Sequence, residues 1–258
     1  MKVVTYANKS NGLFDKLVNN EHNVHVEVLG WGTKWNGFQD KTAGVLNYLK
    51  TQPDDEIVIY IDGFDSIIKN DLSCVKHKFE QYDCKVLFSM EDIPRNILLK
   101  PFGYLAQRII FSSSYTNKIL NAGMYMGYTK YLKMVLNDIL KSKCKDDQVV
   151  VNKLCKKYDF IKVDIHNNIF KNYVLESMNN QQSKEFLQND AIFVSFPGTI
   201  SWSRVSRYLP EYLQFFYKYI VILHLILIAV CFKKYMYFGI SLLIISLYYF
   251  IFCERGCV

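Results

Sequence analysis

Five consecutive apolar residues, Ile57-Val58-Ile59-Tyr60-Ile61, run straight into Asp62-Gly63-Phe64-Asp65. A short run rich in β-branched residues and closed by a glycine turn predicts a strand. Its lack of apolar–polar alternation predicts burial on both faces. A strand buried on both faces needs covering layers, and the rest of the chain has the pattern to supply them. Strand-type runs recur at Lys2–Tyr6, Val24–Leu29, Lys85–Phe88, Met124–Tyr128, Ile161–Val163 and Ala191–Val194. Between them, helical spacing is read at Phe14–Val18, Ala43–Lys50, Cys74–Tyr82, Tyr131–Leu140 and Gln148–Lys156. This alternation predicts an α/β fold on a doubly wound, mostly parallel sheet. In such sheets ligands sit beyond the carboxyl ends of the strands, so polar residues just after a strand become candidates.

The average composition of the 258 residues, 50% hydrophobic and 21% charged, conceals a split. Residues 1–210 are expected to form the α/β domain. Residues 215–253 are almost purely apolar, interrupted by Lys218, His224 and the pair Lys233-Lys234. Either part approaches the roughly 17–25 residues a bilayer-spanning helix needs. Two spans, one span with an interfacial segment, and a buried soluble hairpin are all compatible with the pattern. The aromatics Phe215, Phe216, Tyr217 and Tyr219 suit an interfacial belt, so membrane attachment is expected. No basic-then-apolar signal precedes the first strand, which places the catalytic domain on the cytosolic side in this expectation.

The net charge is +7, and Lys218, Lys233, Lys234 and Arg255 against Glu254 account for +3 of it. With no run of Lys or Arg, nucleic acid is not an expected partner. The seven cysteines include no CxxC pair, so neither a zinc site nor a disulfide framework is expected. Cys74–Cys84 or Cys144–Cys155 would bridge only in an oxidising compartment. His22, His25, His77 and His166 show no ligand spacing and read as surface residues.

The residues with chemical promise cluster after strands. Asp62 and Asp65 leave the carboxyl end of a buried strand three positions apart. Such carboxylates suit a hard divalent cation whose shell a diphosphate completes, although a helix cap and a turn acid would look the same. Glu91 follows a second strand in Phe88-Ser89-Met90-Glu91-Asp92. Asn121 and Gly123 sit in Leu120-Asn121-Ala122-Gly123-Met124, where backbone and ligand can approach closely. Asp146 and Asp147 open a helix, a place where the helix dipole alone favours acids. Phe193-Val194-Ser195-Phe196-Pro197-Gly198 ends the last strand with a turn.

In this order, these segments resemble the glycosyltransferase domain of the multifunctional procollagen lysyl hydroxylases and its stand-alone relatives. The resemblance runs from Val3 to about Trp202. Ala7 matches the family's opening strand, and Val28-Leu29-Gly30 with Trp35-Asn36-Gly37 its Leu-Gly…Trp-x-Gly segment. Asp62 and Asp65 fall on its metal-binding DxxD, with Phe64 where an aromatic lies near the nucleotide base. Glu91 falls on its Phe-Ser-Ala-Glu acid, Asn121 and Gly123 on Leu-Asn-Ser-Gly, and Asp146-Asp147-Gln148 on Asp-Asp-Gln. Asp164 and Ile169-Phe170 match its Leu-Asp…Ile-Phe stretch.

The resemblance implies a GT-A-type doubly wound fold and transfer of glucose or galactose from UDP-glucose or UDP-galactose. It implies Mn2+ or Mg2+ as cofactor and a hydroxyl acceptor, hydroxylysine in collagen-like chains among them. It implies that Asp62 and Asp65 hold the metal, that Asp146, Asp147 and Glu91 are catalytic, and that Thr5, Ala7, Trp35, Gly63, Phe64, Asn121 and Gly198 bind the donor. One departure stands out: the family's last core strand ends in a His that helps bind metal and diphosphate, and Ser195 occupies that position here. No hydroxylase half is expected within these residues. The competing expectation is a membrane-anchored, catalytically weakened nucleotide-sugar-binding or scaffold protein. A nucleotidyltransferase is disfavoured because no Gly-rich phosphate loop follows the first strand.

Overall fold

The computed structural model describes residues 1–91, 118–142, 144, 146–173, 186–197, 222, 225–226, 237 and 239–243. The chain divides into two compact units, Met1–Thr199 and Ile200–Val258. In chain order, the first unit contains β1 (Lys2–Tyr6), α1 (Phe14–Val18), β2 (Val26–Leu29), α2 (Phe38–Leu49), β3 (Ile57–Ile61) and β4 (Ser66–Ile68). There follow α3 (Val75–Glu80), β5 (Val86–Met90), β6 (Leu120–Tyr128), α4 (Thr129–Lys141), α5 (Asp147–Leu154), β7 (Ile161–Val163), β8 (Phe170–Asn172) and β9 (Phe193–Ser195).

The main sheet has six strands in the order β2-β1-β3-β6-β5-β7. Pairings β1–β2, β1–β3 and β5–β7 are parallel, while β6 runs antiparallel to both of its neighbours. The expected mostly parallel α/β sheet is therefore present, with one reversed strand near its centre. All five residues of β3 are buried, as its unbroken apolar run predicted. Ile57, Ile59 and Ile61 join Val3, Phe79, Leu87, Met124 and Met126 in one cluster. Each fully buried aliphatic side chain there contributes roughly 1.5–3 kcal/mol relative to exposure.

A second sheet, β4-β9-β8, was not expected. Here β9 pairs antiparallel with β4 and parallel with β8. The run Ala191–Val194, read as a strand of the main sheet, contributes β9 to this smaller one instead. The three-residue strands β4 and β8 are too short to carry a periodic signal, and tertiary pairing alone defines them.

Two elements begin a helical turn or more earlier than their sequence patterns suggested. Helix α2 starts at Phe38 rather than Ala43, because its buried stripe opens with the polar Lys41 and Thr42 before Val45, Leu46 and Leu49. Strand β6 starts at Leu120 rather than Met124, so the poor strand formers Asn121 and Gly123 lie inside it.

Within Ile200–Val258, the described residues at 237 and 239–243 are helical, and the Ser241 hydroxyl donates to the Tyr237 carbonyl at 2.9 Å. Among the described residues no helix is long and apolar enough to cross a membrane. The expected hydrophobic hairpin over 215–253 falls mostly outside the described residues, as does Gly198.

Candidate active site

Strand alternation places Tyr60 and Asp62 on the same face of β3 and its continuation. The Tyr60 hydroxyl donates to Asp62 Oδ1 at 2.7 Å. Lys41 Nζ, arriving from α2, approaches the same oxygen at 3.4 Å. The Asp62 amide donates to the Gly123 carbonyl at 2.8 Å, extending the β3–β6 pairing past the end of β3. Gly123 is required by this approach: a Cβ there would lie 2.8 Å from Asp62 Oδ2 and 2.9 Å from Asn121 Oδ1.

Helix α5 delivers the second acidic pair. Asp146 caps it, its Oδ1 accepting from the Val149 amide at 3.2 Å. Asp147, in the first turn, is buried and sets Oδ2 3.1 Å from Lys41 Nζ. The helix is fastened to β6 through buried Asn152, which accepts from the Leu120 amide and donates to the Leu120 carbonyl, both at 2.9 Å. Gln148 Oε1 accepts from the Ala122 amide at 3.4 Å. A bulge between Phe88 and Ser89 re-registers β5 so that Ser89 faces Asn121. Beyond it, Glu91 Oε2 accepts from Asn121 Nδ2 at 2.6 Å and Gln148 Nε2 at 2.9 Å.

These groups surround a cleft of about 260 Å³, whose lining includes Phe38, Lys41, Asp62, Asn121, Asp146, Asp147, Gln148 and Ser195. Its electrostatics centre on Lys41. Burial alone would lower the ammonium's pKa, but the Asp147 and Asp62 carboxylates more than reverse this and raise it. Asp147 is raised above the usual carboxylate range, chiefly by burial, with Asp62 adding and Lys41 opposing. Asp65 is pushed up to about 6, first by burial and then by the charge of Asp62. Its Oδ1 accepts from the Ser66 and Ser195 hydroxyls, each at 3.2 Å.

Of the residues singled out in the sequence, Asp62, Asn121, Asp146 and Asp147 converge on this cleft. Glu91 reaches it through Asn121 and Gln148. Thr5 and Ala7 are buried, and the Thr5 hydroxyl donates to the Ile61 carbonyl at 2.7 Å. Gly63 packs on that pair, since a Cβ would stand 2.9 Å from Thr5 Oγ1 and 3.2 Å from Ala7 Cβ. Trp35 lies beside the cleft, its ring edge-on to Phe38 at 6.0 Å. Phe64 is half-buried, and its carbonyl accepts from the Leu13 amide at 2.8 Å. Asp164 serves the loop before β8: Oδ2 accepts from the Ile169 and Phe170 amides at 2.8 and 2.7 Å, and Tyr82 donates to Oδ1.

Lys41, Tyr60 and Phe38 escaped the sequence reading. Lys41 did leave a trace, a lysine four and eight residues before Val45 and Leu49 on the buried stripe of α2.

Among the described residues no group of three or more His, Cys, Asp or Glu side chains forms a metal cluster. The oxygens present nevertheless fit a hard divalent ion as a partial set. Asp62 and Asp65 are close enough for one charge to oppose ionisation of the other, a repulsion that a cation relieves. Ser195 would add only a hydroxyl, already directed at Asp65.

The chain is 25% identical to procollagen-lysine,2-oxoglutarate 5-dioxygenase of Drosophila melanogaster, with 80% of this chain and 31% of that protein aligned. It thus spans about a third of the length of this curated relative. Among solved structures, it is similar to a glycosyltransferase involved in glycosylation of the major capsid of PBCV-1, at 11% identity and a TM-score of 0.47, covering 81% of this chain and 98% of that one. The galactosyltransferase LgtC with donor and acceptor sugar analogues gives 11% identity and a TM-score of 0.44, covering 77% and 88%. The family described as "PLOD GT domain" matches residues 1–195. A match across that much of the chain means that this protein belongs to the PLOD glycosyltransferase-domain family.

Proposed function

We propose that the chain transfers a hexose, glucose or galactose, from a UDP-sugar to a hydroxyl acceptor, hydroxylysine in collagen-like chains being the acceptor class that the family resemblance implies. The observation that supports this reading best is the joining of two acidic pairs distant in sequence, Asp62 with Asp147, through one buried ammonium in one cleft. An isolated buried charge is costly, so a cluster of this kind beyond strand ends favours a site that handles charged ligands.

In this mechanism Asp62 and Asp65 would hold a divalent ion such as Mn2+ or Mg2+, which when bound would supply positive charge against the departing diphosphate. Lys41 adds a fixed positive charge at the base of the cleft and keeps Asp62 and Asp147 in place. The bond between the anomeric carbon and the phosphate oxygen breaks as the acceptor oxygen bonds to that carbon. The acceptor's proton passes to a carboxylate of the Asp146–Asp147 pair, and the raised Asp147 carboxyl is a stronger base than an exposed one. Glu91, steadied by Asn121 and Gln148, orients hydroxyls or opposes positive charge on the sugar ring. Attachment to a membrane through residues 215–253, with the catalytic domain on the cytosolic side, belongs to the same reading; recovery of the full chain in a soluble fraction would remove it.

The test is release of UDP from UDP-glucose and UDP-galactose by the full chain, with and without Mn2+, beside an Asp62→Ala/Asp65→Ala control. Metal-dependent turnover lost in the control is expected. Absence of UDP binding at every metal concentration would overturn the proposal. Ser195 favours a second reading, a nucleotide-sugar-binding protein with weakened catalysis. That reading predicts UDP binding without turnover.

A further inference from the structure

We propose that the hydroxyls of Tyr60, Ser66 and Ser195 position Asp62 and Asp65 so that each acid keeps one open oxygen. The site thereby takes Mg2+ or Mn2+ in preference to Ca2+, an inference that rests on the metal-dependent reading above. Asp62 Oδ1 accepts from the Tyr60 hydroxyl at 2.7 Å and from Lys41 Nζ at 3.4 Å. Asp65 Oδ1 accepts from the Ser66 and Ser195 hydroxyls, each at 3.2 Å. A carboxylate oxygen offers about two lone-pair sites, so both Oδ1 atoms are fully used. Among the described residues neither Oδ2 accepts a hydrogen bond. Gly123 keeps Asp62 Oδ2 uncovered, since a Cβ there would lie 2.8 Å from it.

The fold fixes each of these donors. The Tyr60 ring is buried and stacks on Tyr125 at 4.8 Å and 23°, so its hydroxyl cannot turn from Asp62 without unpacking the core. Ser66 and Ser195 are direct partners in the antiparallel β4–β9 pair, and both are buried. Directly opposed residues share one face of a sheet, so the small second sheet delivers both hydroxyls to Asp65. A buried hydroxyl is costly unless bonded, and all three direct a hydrogen bond at one of the two acids. With Oδ1 occupied, each acid has a single oxygen to give an ion. Mg2+ is held in this way, by one or two carboxylates with phosphate oxygens and water completing an octahedral shell. Ca2+ takes about 6–8 oxygens and gains from carboxylates that bind through both of theirs, the mode these donors block.

Mn2+ binding to the full chain is measured by electron paramagnetic resonance, with and without UDP, and Mg2+ and Ca2+ affinities by competition against Mn2+. The proteins compared are the wild type, Tyr60→Phe, Ser195→Ala and Tyr125→Phe, with thermal unfolding in chelator to show that each is folded. Tyr125→Phe removes a hydroxyl from the ring stacked on Tyr60 and is the control. Tyr60→Phe and Ser195→Ala are each expected to weaken Mn2+ and Mg2+ by about tenfold, as loss of a group that orients a ligand does. Ca2+ affinity is expected to hold or rise, because a freed Oδ1 can join its shell, so the selectivity ratio shifts by about tenfold. In Tyr125→Phe the ratio stays within about twofold of wild type. Equal losses for all three ions would assign the hydroxyls to folding alone and overturn the proposal. An unchanged ratio in Tyr60→Phe and Ser195→Ala, or a wild type that prefers Ca2+, would overturn it too. A wild type that binds no ion even with UDP refutes the metal-dependent reading itself, and that result is read without the variants.

Discussion

Asp65→Asn is expected to make the folded protein more stable while removing its metal-dependent affinity for UDP. The Asp65 carboxyl moves from an ordinary value of 3.8 to about 6 in the fold, because burial and the neighbouring Asp62 charge both oppose ionisation. A raised carboxyl binds more protons folded than unfolded between those two values, so its contribution to stability declines as pH rises through that window. Above about pH 6 the penalty is complete. A rise of some two pH units corresponds to about 3 kcal/mol. Asparagine retains an oxygen able to accept from the Ser66 and Ser195 hydroxyls, so most of that penalty is relieved. Thermal unfolding by circular dichroism, with chelator present, should show the variant ahead by roughly 4–10 °C at about pH 8. The advantage should shrink toward zero near pH 4, where both proteins are neutral at this position. A variant less stable than wild type at pH 8, or an advantage independent of pH, would refute the argument.

Three further substitutions probe the site and its support. Lys41→Met leaves Asp62 and Asp147 without their shared cation and is expected to lower unfolding stability by about 3 kcal/mol; an unchanged denaturation midpoint would contradict the buried triad. Gly123→Ala pushes a methyl within 2.8 Å of Asp62 Oδ2, and calorimetry should find UDP affinity with Mn2+ reduced by about tenfold or more. Gly44→Ala should destabilise by roughly 1–3 kcal/mol although alanine is the better helix former by about 1 kcal/mol. The reason is that its Cβ would lie 2.5 Å from the Tyr6 ring, and a rise in melting temperature would refute that overlap.

The fold was legible where one segment carried its own signal. Residues 57–61 announced a doubly buried strand because every position was apolar, and the strand is buried at all five. The main helices α2, α4 and α5 were located from periodicity, though α2 and β6 began earlier because the polar Lys41 and Asn121 occupy buried places and the flexible Gly123 lies within the strand. The second sheet was not legible, since strands as short as Ser66–Ile68 and Phe170–Asn172 exist only through their pairing with β9. The acids were recognised individually by position after strands and at a helix start. Nothing in their spacing revealed that Lys41 links Asp62 to Asp147, or that Tyr60 donates to Asp62.

The sequence by itself determined the α/β class, the mostly parallel sheet and which carboxylates lie at strand ends, because these depend on local periodicity and on residue type at a boundary. Tertiary structure alone decided which carboxylates share a cation, which of them is raised by its neighbour, and which aromatic borders the cleft. Those outcomes depend on distances of a few ångströms between residues far apart in the chain, and the energy of a buried charge varies steeply over such distances. They were fixed when α2 and α5 packed against the main sheet with Lys41 and Asp147 on their buried faces.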